Sequence, residues 1–312
     1  MCIIALANLP NQRLKLLTIV ALFLACQTGC NMIKEEKPDP EFVLKQAQRL
    51  GYDLENPNKK IKLHFDLEEI SGLSYVKDSI LACVQDELGR AYFYDLGNEK
   101  IQYSIKFAQS GDYEGIELVD GKVYVVENNG KIYSFDTTAA NTQKVKSAII
   151  DTPLSDKNDV EGLGYLPTSR QLLIACKEEA GINKKKRKGK AIYAYNLDEK
   201  KFEEKPFITI KRSDITKFIV DHPDNYKIKK SPDFKPSGIA VHPKTNKIYL
   251  LNSVGKMLII LNEKGKVEDL AILNPKTFRQ PEGICFAPNG DLFIASEGGG
   301  SRGYLLAFKY LK

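Results

Sequence analysis

The 312-residue chain has no tryptophan and only three histidines, His64, His222 and His242, scattered along its length. Its six cysteines (Cys2, Cys26, Cys30, Cys83, Cys176 and Cys285) include no CxxC pair, which argues against a structural zinc site. Motifs for an activated nucleophile are missing too: there is no GxSxG, no HExxH and no cysteine with a matching histidine. Beyond residue 25 no apolar run is long enough to cross a bilayer as a helix. A broad basic face is also lacking. The formal charge of +6 becomes +4 without residues 1–25, and six of those positives lie in one run, Lys184 to Lys190, without which the balance is −2. Such a charge distribution excludes a nucleic-acid partner spread over a basic surface.

What is present is an ordinary globular composition, 43% hydrophobic and 28% charged, enough to build a large buried core. Cys83, Cys176 and Cys285 lie in apolar runs and read as buried, reduced core residues. At the N-terminus Arg13 and Lys15 precede the apolar run Leu16 to Ala25. A run of ten apolar-rich residues is too short for a mature span and suits a signal-peptide core. The run ends in Leu-Ala-Cys at Cys26, which resembles a bacterial lipobox; Cys30, after Thr28-Gly29, is the alternative acceptor. Residues 1–25 therefore read as a lipoprotein signal peptide and 26–59 as a lipidated tether. Within the tether Asp39-Pro40 starts a short helix, with Val43, Ala47 and Leu50 on one face and Gly51 as its stop.

From residue 60 onward the sequence repeats. Five segments carry a glycine after a small or acidic residue and before an apolar one, at Gly72, Gly115, Gly162, Gly238 and Gly283. Each is followed by two further apolar strands, for example Ile80–Val84 and Ala91–Tyr94, with Asp95, Asp136, Asn196 and Asn262 closing the third strand of the first four copies. The glycines are 43, 47, 76 and 45 residues apart. Four short strands per 40–50 residues is the period of a propeller blade. The fold class is thus all-β, a β-propeller of five four-stranded blades over residues 60–312, or six if a degenerate blade hides in the long interval. That interval holds the basic segment 181–190 and a polar insertion with a short helix at 213–220. The last copy stops after its third strand, so Lys60–Leu67 is expected to supply the missing fourth and close the ring.

In a propeller the residues before these glycines, Ser71, Glu114, Glu161, Ser237 and Glu282, converge at one mouth of the central channel. The tips of the second strands add Gln85, Asp86, Glu127, Asn128, Lys177, Glu178, Asn252, Ser296 and Glu297 to the same face. Glutamates crowded round one axis repel one another and invite either protonation or a cation. Glu114, Glu161, Glu282, Glu127, Glu178 and Glu297 are the candidate ligands of a Ca²⁺ ion, a hard cation that prefers oxygen donors; Ser71, Ser237, Asn128 and Asn252 are the candidate ligand-pocket residues. The other reading of the glutamates is that they cap strand-start amides or pair with Lys177 and hold no metal.

The segments Glu69-Ile70-Ser71-Gly72-Leu73, Asp112-Tyr113-Glu114-Gly115-Ile116 and Asn158-Asp159-Val160-Glu161-Gly162 resemble the SdiA-regulated family, from about residue 60 to the C-terminus. The resemblance implies an exported β-propeller, often at the cell envelope, with calcium association suggested for some relatives. Two copies carry serine, Ser71 and Ser237, where glutamate would complete a ring. Three functions follow as expectations: a membrane-anchored envelope lipoprotein that binds a small ligand, glycan or partner protein; a calcium-dependent hydrolase of phosphoesters or lactones; or an envelope scaffold.

Overall fold

The computed structural model describes residues 39–137 and 144–312. The signal segment and both candidate acyl acceptors, Cys26 and Cys30, lie outside the described residues. Five four-stranded antiparallel sheets make up the body. Blade 1 contains β2 (Ile70–Lys77), β3 (Ile80–Gln85), β4 (Arg90–Asp95) and β5 (Lys100–Lys106). Blade 2 contains β6 (Tyr113–Val119), β7 (Lys122–Glu127), β8 (Ile132–Asp136) and β9 (Ala148–Ile150). Blade 3 contains β10 (Val160–Leu166), β11 (Gln171–Cys176), β12 (Lys190–Asn196) and β13 (Lys201–Ile210). Blade 4 contains β14 (Gly238–Val241), β15 (Ile248–Asn252), β16 (Met257–Leu261) and β17 (Val267–Ile272). Blade 5 contains β18 (Pro281–Phe286), β19 (Leu292–Ser296) and β20 (Tyr304–Phe308), completed by β1 (Lys59–Lys62).

The middle strands are short, apolar runs because a blade is covered on both faces. Every residue of β3, β15, β16 and β19 is buried. Each sheet stacks on its neighbours, and each of the five junctions has its own apolar cluster; that between blades 1 and 2, for example, packs Ala82, Phe93 and Phe107 against Ile116, Val125 and Phe135. Asx turns close the hairpins that follow: the Asp95 carboxylate accepts from the amides of Gly97 and Asn98, and Asn196 does the same for Asp198 and Glu199. The three core cysteines are buried free thiols.

There are five blades, not six. The long interval is filled by the β11–β12 connection, whose basic segment spans 181–189, and by α2 (Arg212–Asp221), which packs Ile215 and Ile219 onto the junction of blades 3 and 4. Closure occurs as expected, with β1 antiparallel to β20 from Lys59↔Ala307 to Lys62↔Tyr304. The closing strand is shorter than the expected 60–67, because the His64 side chain accepts from the Asp66 amide and turns Phe65–Leu67 into a single 3₁₀ turn.

The helix expected in the tether is α1 (Pro40–Leu50), with Gln46, Ala47 and Leu50 buried and Gly51 at φ +85° ending it. Residues from Glu41 onward form one compact unit with the propeller. Leu50, Tyr52 and Leu54 fill the junction of blades 4 and 5. The Tyr52 hydroxyl donates to the Gly290 carbonyl at 2.6 Å and lies 2.9 Å from His242 Nε2. His242 Nδ1 accepts from the Lys244 amide, so Nε2 carries the proton and donates to Tyr52.

On the axis the five repeat glycines touch the neighbouring inner strands directly. A Cβ on Gly72 would lie 2.9 Å from the Cα of Gly115, one on Gly115 2.6 Å from the Leu163 amide nitrogen, and one on Gly162 3.1 Å from the Cα of Gly238. A Cβ on Gly238 would overlap the Glu282 carbonyl oxygen, and one on Gly283 would meet Leu73 and the carbonyl carbon of Gly72. None of the five has a positive φ, so glycine is needed for close approach rather than for backbone conformation. Gly238→Ala is therefore expected to cost about 3 kcal/mol, near the upper end for overpacking, lowering the melting temperature by about 6–12 °C in a circular-dichroism melt. An unchanged melt would mean that the blades can separate at the axis without loss.

Candidate functional site

In four blades the residue before the glycine stands out of the ladder. Pairing skips Ser71, Glu114 and Glu161, and two residues, Glu282 and Gly283, oppose one in blade 5. These are β-bulges, which re-aim a side chain away from the sheet. Here they turn the side chains of Glu114, Glu161 and Glu282 towards one another at the mouth. The amide of the first residue after each second strand then bonds back across the hairpin: Asp86 to the Glu69 carbonyl, Asn128 to Asp112, Lys177 to Asp159 and Glu297 to Gln280. These bridges bring a second set, Asp86, Asn128, Lys177 and Glu297, and a third, Glu69, Asp112 and Asp159, to the same opening.

Eight carboxylates therefore share the mouth: Glu69, Asp86, Asp112, Glu114, Asp159, Glu161, Glu282 and Glu297. The ammonium of Lys177 donates to Glu161 Oε1 at 2.5 Å and lies 3.6 Å from Asp159. Burial works against that charge, but the two carboxylates outweigh it and keep Lys177 protonated well above the ordinary lysine range. Burial raises the Glu161 pKa, and the Lys177 ion pair opposes it. Glu114 is pushed far up by burial, then by the charge of Glu161 and a hydrogen bond with Asp112. Glu282 rises to about 8 through burial and the charges of Glu161 and Glu297. Glu297 rises to about 7 through burial, Asp86 and Glu69, and Asp86 to about 6 through burial, Glu69 and Glu87. Two carboxylate oxygens, Glu282 Oε2 and Asp86 Oδ1, are buried with no donor.

Other candidate residues lie elsewhere. Glu127 accepts from the Tyr133 hydroxyl within blade 2, and Glu178 is paired with Lys190 and Lys235 beside blade 3. Ser71 and Ser237 are buried and donate to the carbonyls of Tyr113 and Pro281, stapling their blades to the next. Asn252, fully buried, ties Asp233, Lys235 and Gly255 together. Asn128 remains at the mouth, donating to Asp112. The third set was the part not singled out from sequence, although its signal is plain: an acidic residue three before the glycine at Glu69, Asp112 and Asp159. A lone carboxylate also sits on the far side of the glycines. Glu117 of blade 2 accepts from Ser74 of blade 1 at 2.6 Å and from the Tyr165 amide of blade 3, and burial raises its pKa to about 7.

Chemically the mouth is a bowl with excess negative charge around the Lys177 ammonium. Among the described residues no three Asp, Glu, His or Cys side chains are grouped to hold a metal ion. Ca²⁺ requires six to eight converging oxygens, and Lys177 occupies the carboxylate at the centre of the bowl. As folded, the donor set does not fit Ca²⁺.

No curated protein matches the chain in sequence. Among solved structures, a luciferin-regenerating enzyme is 12% identical, with a TM-score of 0.52 and coverage of 81% of this chain and 95% of that one. A protein of unknown function from Bacteroides thetaiotaomicron is 11% identical, with a TM-score of 0.49; the match covers 77% of this chain and 56% of that one. At these identities the first likeness speaks to the propeller fold alone. The SdiA-regulated family model matches residues 48–300, from the end of α1 to the turn before β20, and the chain belongs to the SdiA-regulated family.

Proposed function

We propose that the chain is a lipid-anchored envelope protein whose propeller mouth binds a cationic ligand, with an organic ammonium as the favoured chemistry. The observation that carries this reading is the charge imbalance of the bowl: eight carboxylates face Lys177, with Lys256 near Glu282, and Glu282 Oε2 and Asp86 Oδ1 lack any donor. A buried acceptor without a donor costs about 1–3 kcal/mol, so a ligand that supplies N–H groups gains more here than in water. Lys177 on Glu161 is the internal example of the contact such a ligand would make. Neither the hydrolase nor the scaffold reading has a specific observation in its favour. The anchor rests on the sequence around Leu16 to Cys26.

Three outcomes are expected. In a thermal melt, putrescine at about 100 times its Kd adds roughly 2.7 kcal/mol, a rise on the order of 5–10 °C, whereas equimolar K⁺ gives none. A shift with Ca²⁺ and none with the diamine would replace the ammonium by a metal, and no shift with either would remove the bowl from function.

Stability should also depend on pH through Glu282. Its folded pKa, about 8, lies above its ordinary value of 4.5, so its contribution is complete below pH 4.5 and is lost as the pH rises towards 8. Glu282→Gln, facing Glu161, Glu297, Lys177 and Lys256, should match the wild type at pH 5 and melt a few degrees higher, on the order of 3 °C, at pH 8. Identical slopes in the two proteins would show that Glu282 is already ionised at neutral pH.

Radiolabelled palmitate fed to expressing cells should label the wild type and Cys30→Ala but not Cys26→Ala. Label retained in Cys26→Ala and lost in Cys30→Ala would move the anchor to Cys30, and no label in any of the three would exclude acylation.

A further inference from the structure

Charge is segregated within the propeller to an extent that the acidic mouth does not explain. Residues 181–235 hold 16 Lys and Arg against 8 Asp and Glu, whereas the rest of the chain holds 30 against 32. The whole positive excess therefore belongs to blade 3 and the insertion that follows it. The structure brings these two basic segments together. A cavity of about 970 Å³ runs along the basic connection, walled by Lys157, Lys184, Lys186 and Lys188. At Lys188 and Gly189 it meets a second, of about 550 Å³, lined by Lys190, Lys211, Arg212 and Lys235. At Arg212 and Ser213 this meets a third, of about 510 Å³, alongside α2, with Lys217 and Lys230 on its walls. The shared residues make the three grooves one track.

Part of this charge is neutralised locally. Arg212 pairs with Asp233, Lys217 with Asp221, and Lys190 and Lys235 with Glu178. Lys184, Lys186, Lys188 and Lys230 are exposed and make no ion pair among the described residues. Like charges this close repel, so the arrangement is unfavourable for the protein alone and is relieved by a multivalent anion.

We propose that the two insertions form a binding track for a linear anionic glycan. Three features select this partner. The basic side chains line a continuous groove, which fits a chain. Neutral hydrogen-bonding groups, Ser155, Asn183, Ser213 and Thr216, alternate with them along the walls, as sugar hydroxyls require. The lining offers no exposed aromatic ring on which a base could stack, since Phe234 is buried. A membrane surface is a poorer fit, because Val220 is the one exposed large apolar residue on α2 and interfacial helices insert larger apolar faces.

The test uses the full chain and labelled polygalacturonate of defined lengths, with neutral dextran, vesicles containing phosphatidylglycerol and a single-stranded oligonucleotide as the other arms. Affinity for polygalacturonate should rise with chain length and fall at least tenfold between 50 and 300 mM salt, as screening shortens the reach of the lysines. Lys186→Glu and Lys230→Glu, at opposite ends of the track, should each weaken long chains about fivefold and compound in the double variant. Lys264→Glu, on a blade 4 hairpin, should change nothing, and melts of all variants check folding. The proposal is overturned if galacturonate monomer binds as tightly as the polymer, if only vesicles or only the oligonucleotide bind, if no polyanion binds, or if the two end variants bind like the wild type.

Discussion

Everything at the mouth depends on the contact of five glycines around the axis. A single methyl group at Gly115 would collide with the Leu163 amide, and one at Gly238 with the Glu282 carbonyl. Because the inner strands approach to backbone contact, the residue before the glycine cannot stay in the ladder, and it bulges out of the sheet at Ser71, Glu114, Glu161 and Glu282. The bulge turns that side chain to the opening, and the hairpin amide that bonds back across it adds the next two sets. Close packing and site geometry are one constraint seen from two sides. The residues two places beyond the glycines are Ser74, Glu117, Gly164, Ala240 and Cys285, four of them small, and the one long side chain, Glu117, bonds two neighbouring blades at once.

The protein then has to keep eight carboxylates together. It uses three devices. Glu114 and Asp112 share a hydrogen bond that one of them can make only when protonated. Lys177 neutralises Glu161 and Asp159. Serine stands where glutamate would before two of the five glycines, and there the hydroxyl is spent on the next blade's carbonyl. A complete ring of five glutamates would have added two more buried charges without adding a counter-ion. The excess that remains is a property of the site and not a defect of packing, since the five inter-blade cores are apolar and closed.

The blades were legible because their signal is local: a glycine, two apolar runs and a closing Asp or Asn recur at blade spacing. Closure by the N-terminal strand was legible for the same reason, since the fifth copy lacks a strand. The mouth was legible only in part. Glu114, Glu161, Glu282, Glu297 and Asn128 come together, whereas Glu127 and Glu178 lie one residue away in register from positions that reach the opening. In a strand one residue is the difference between opposite faces, and the bulge that decides the phase leaves no mark in composition. Asp112 and Asp159 were visible as letters, but their role follows from a back-bonded hairpin that only the fold supplies. The apolar residues Leu50, Tyr52 and Leu54 sat in a segment that reads as tether because it is polar on average. These side chains bind it to the propeller together with Arg49, which pairs with Asp269, since the junction of blades 4 and 5 offers Tyr52 both an acceptor, Gly290, and a donor, His242.

That docking bears on where the two charged surfaces can work. With residues from 41 onward fixed to the propeller, an anchor at Cys26 leaves about 15 residues to span the gap, at most about 50 Å when fully extended. On the proposed anchoring, the propeller is confined to a shell of that depth above the lipid. A tether this short raises the effective concentration of any ligand held in the same layer, while doing nothing for one free in bulk solution. The proposed bowl for an ammonium and the proposed track for an anionic chain, carried by one ring, suit a layer in which both kinds of group are fixed in place. The confinement also separates the two sites in kind: the track gains from a polymer that cannot diffuse away, whereas the bowl, at the scale of single side chains, has to hold its ligand by desolvated contacts alone.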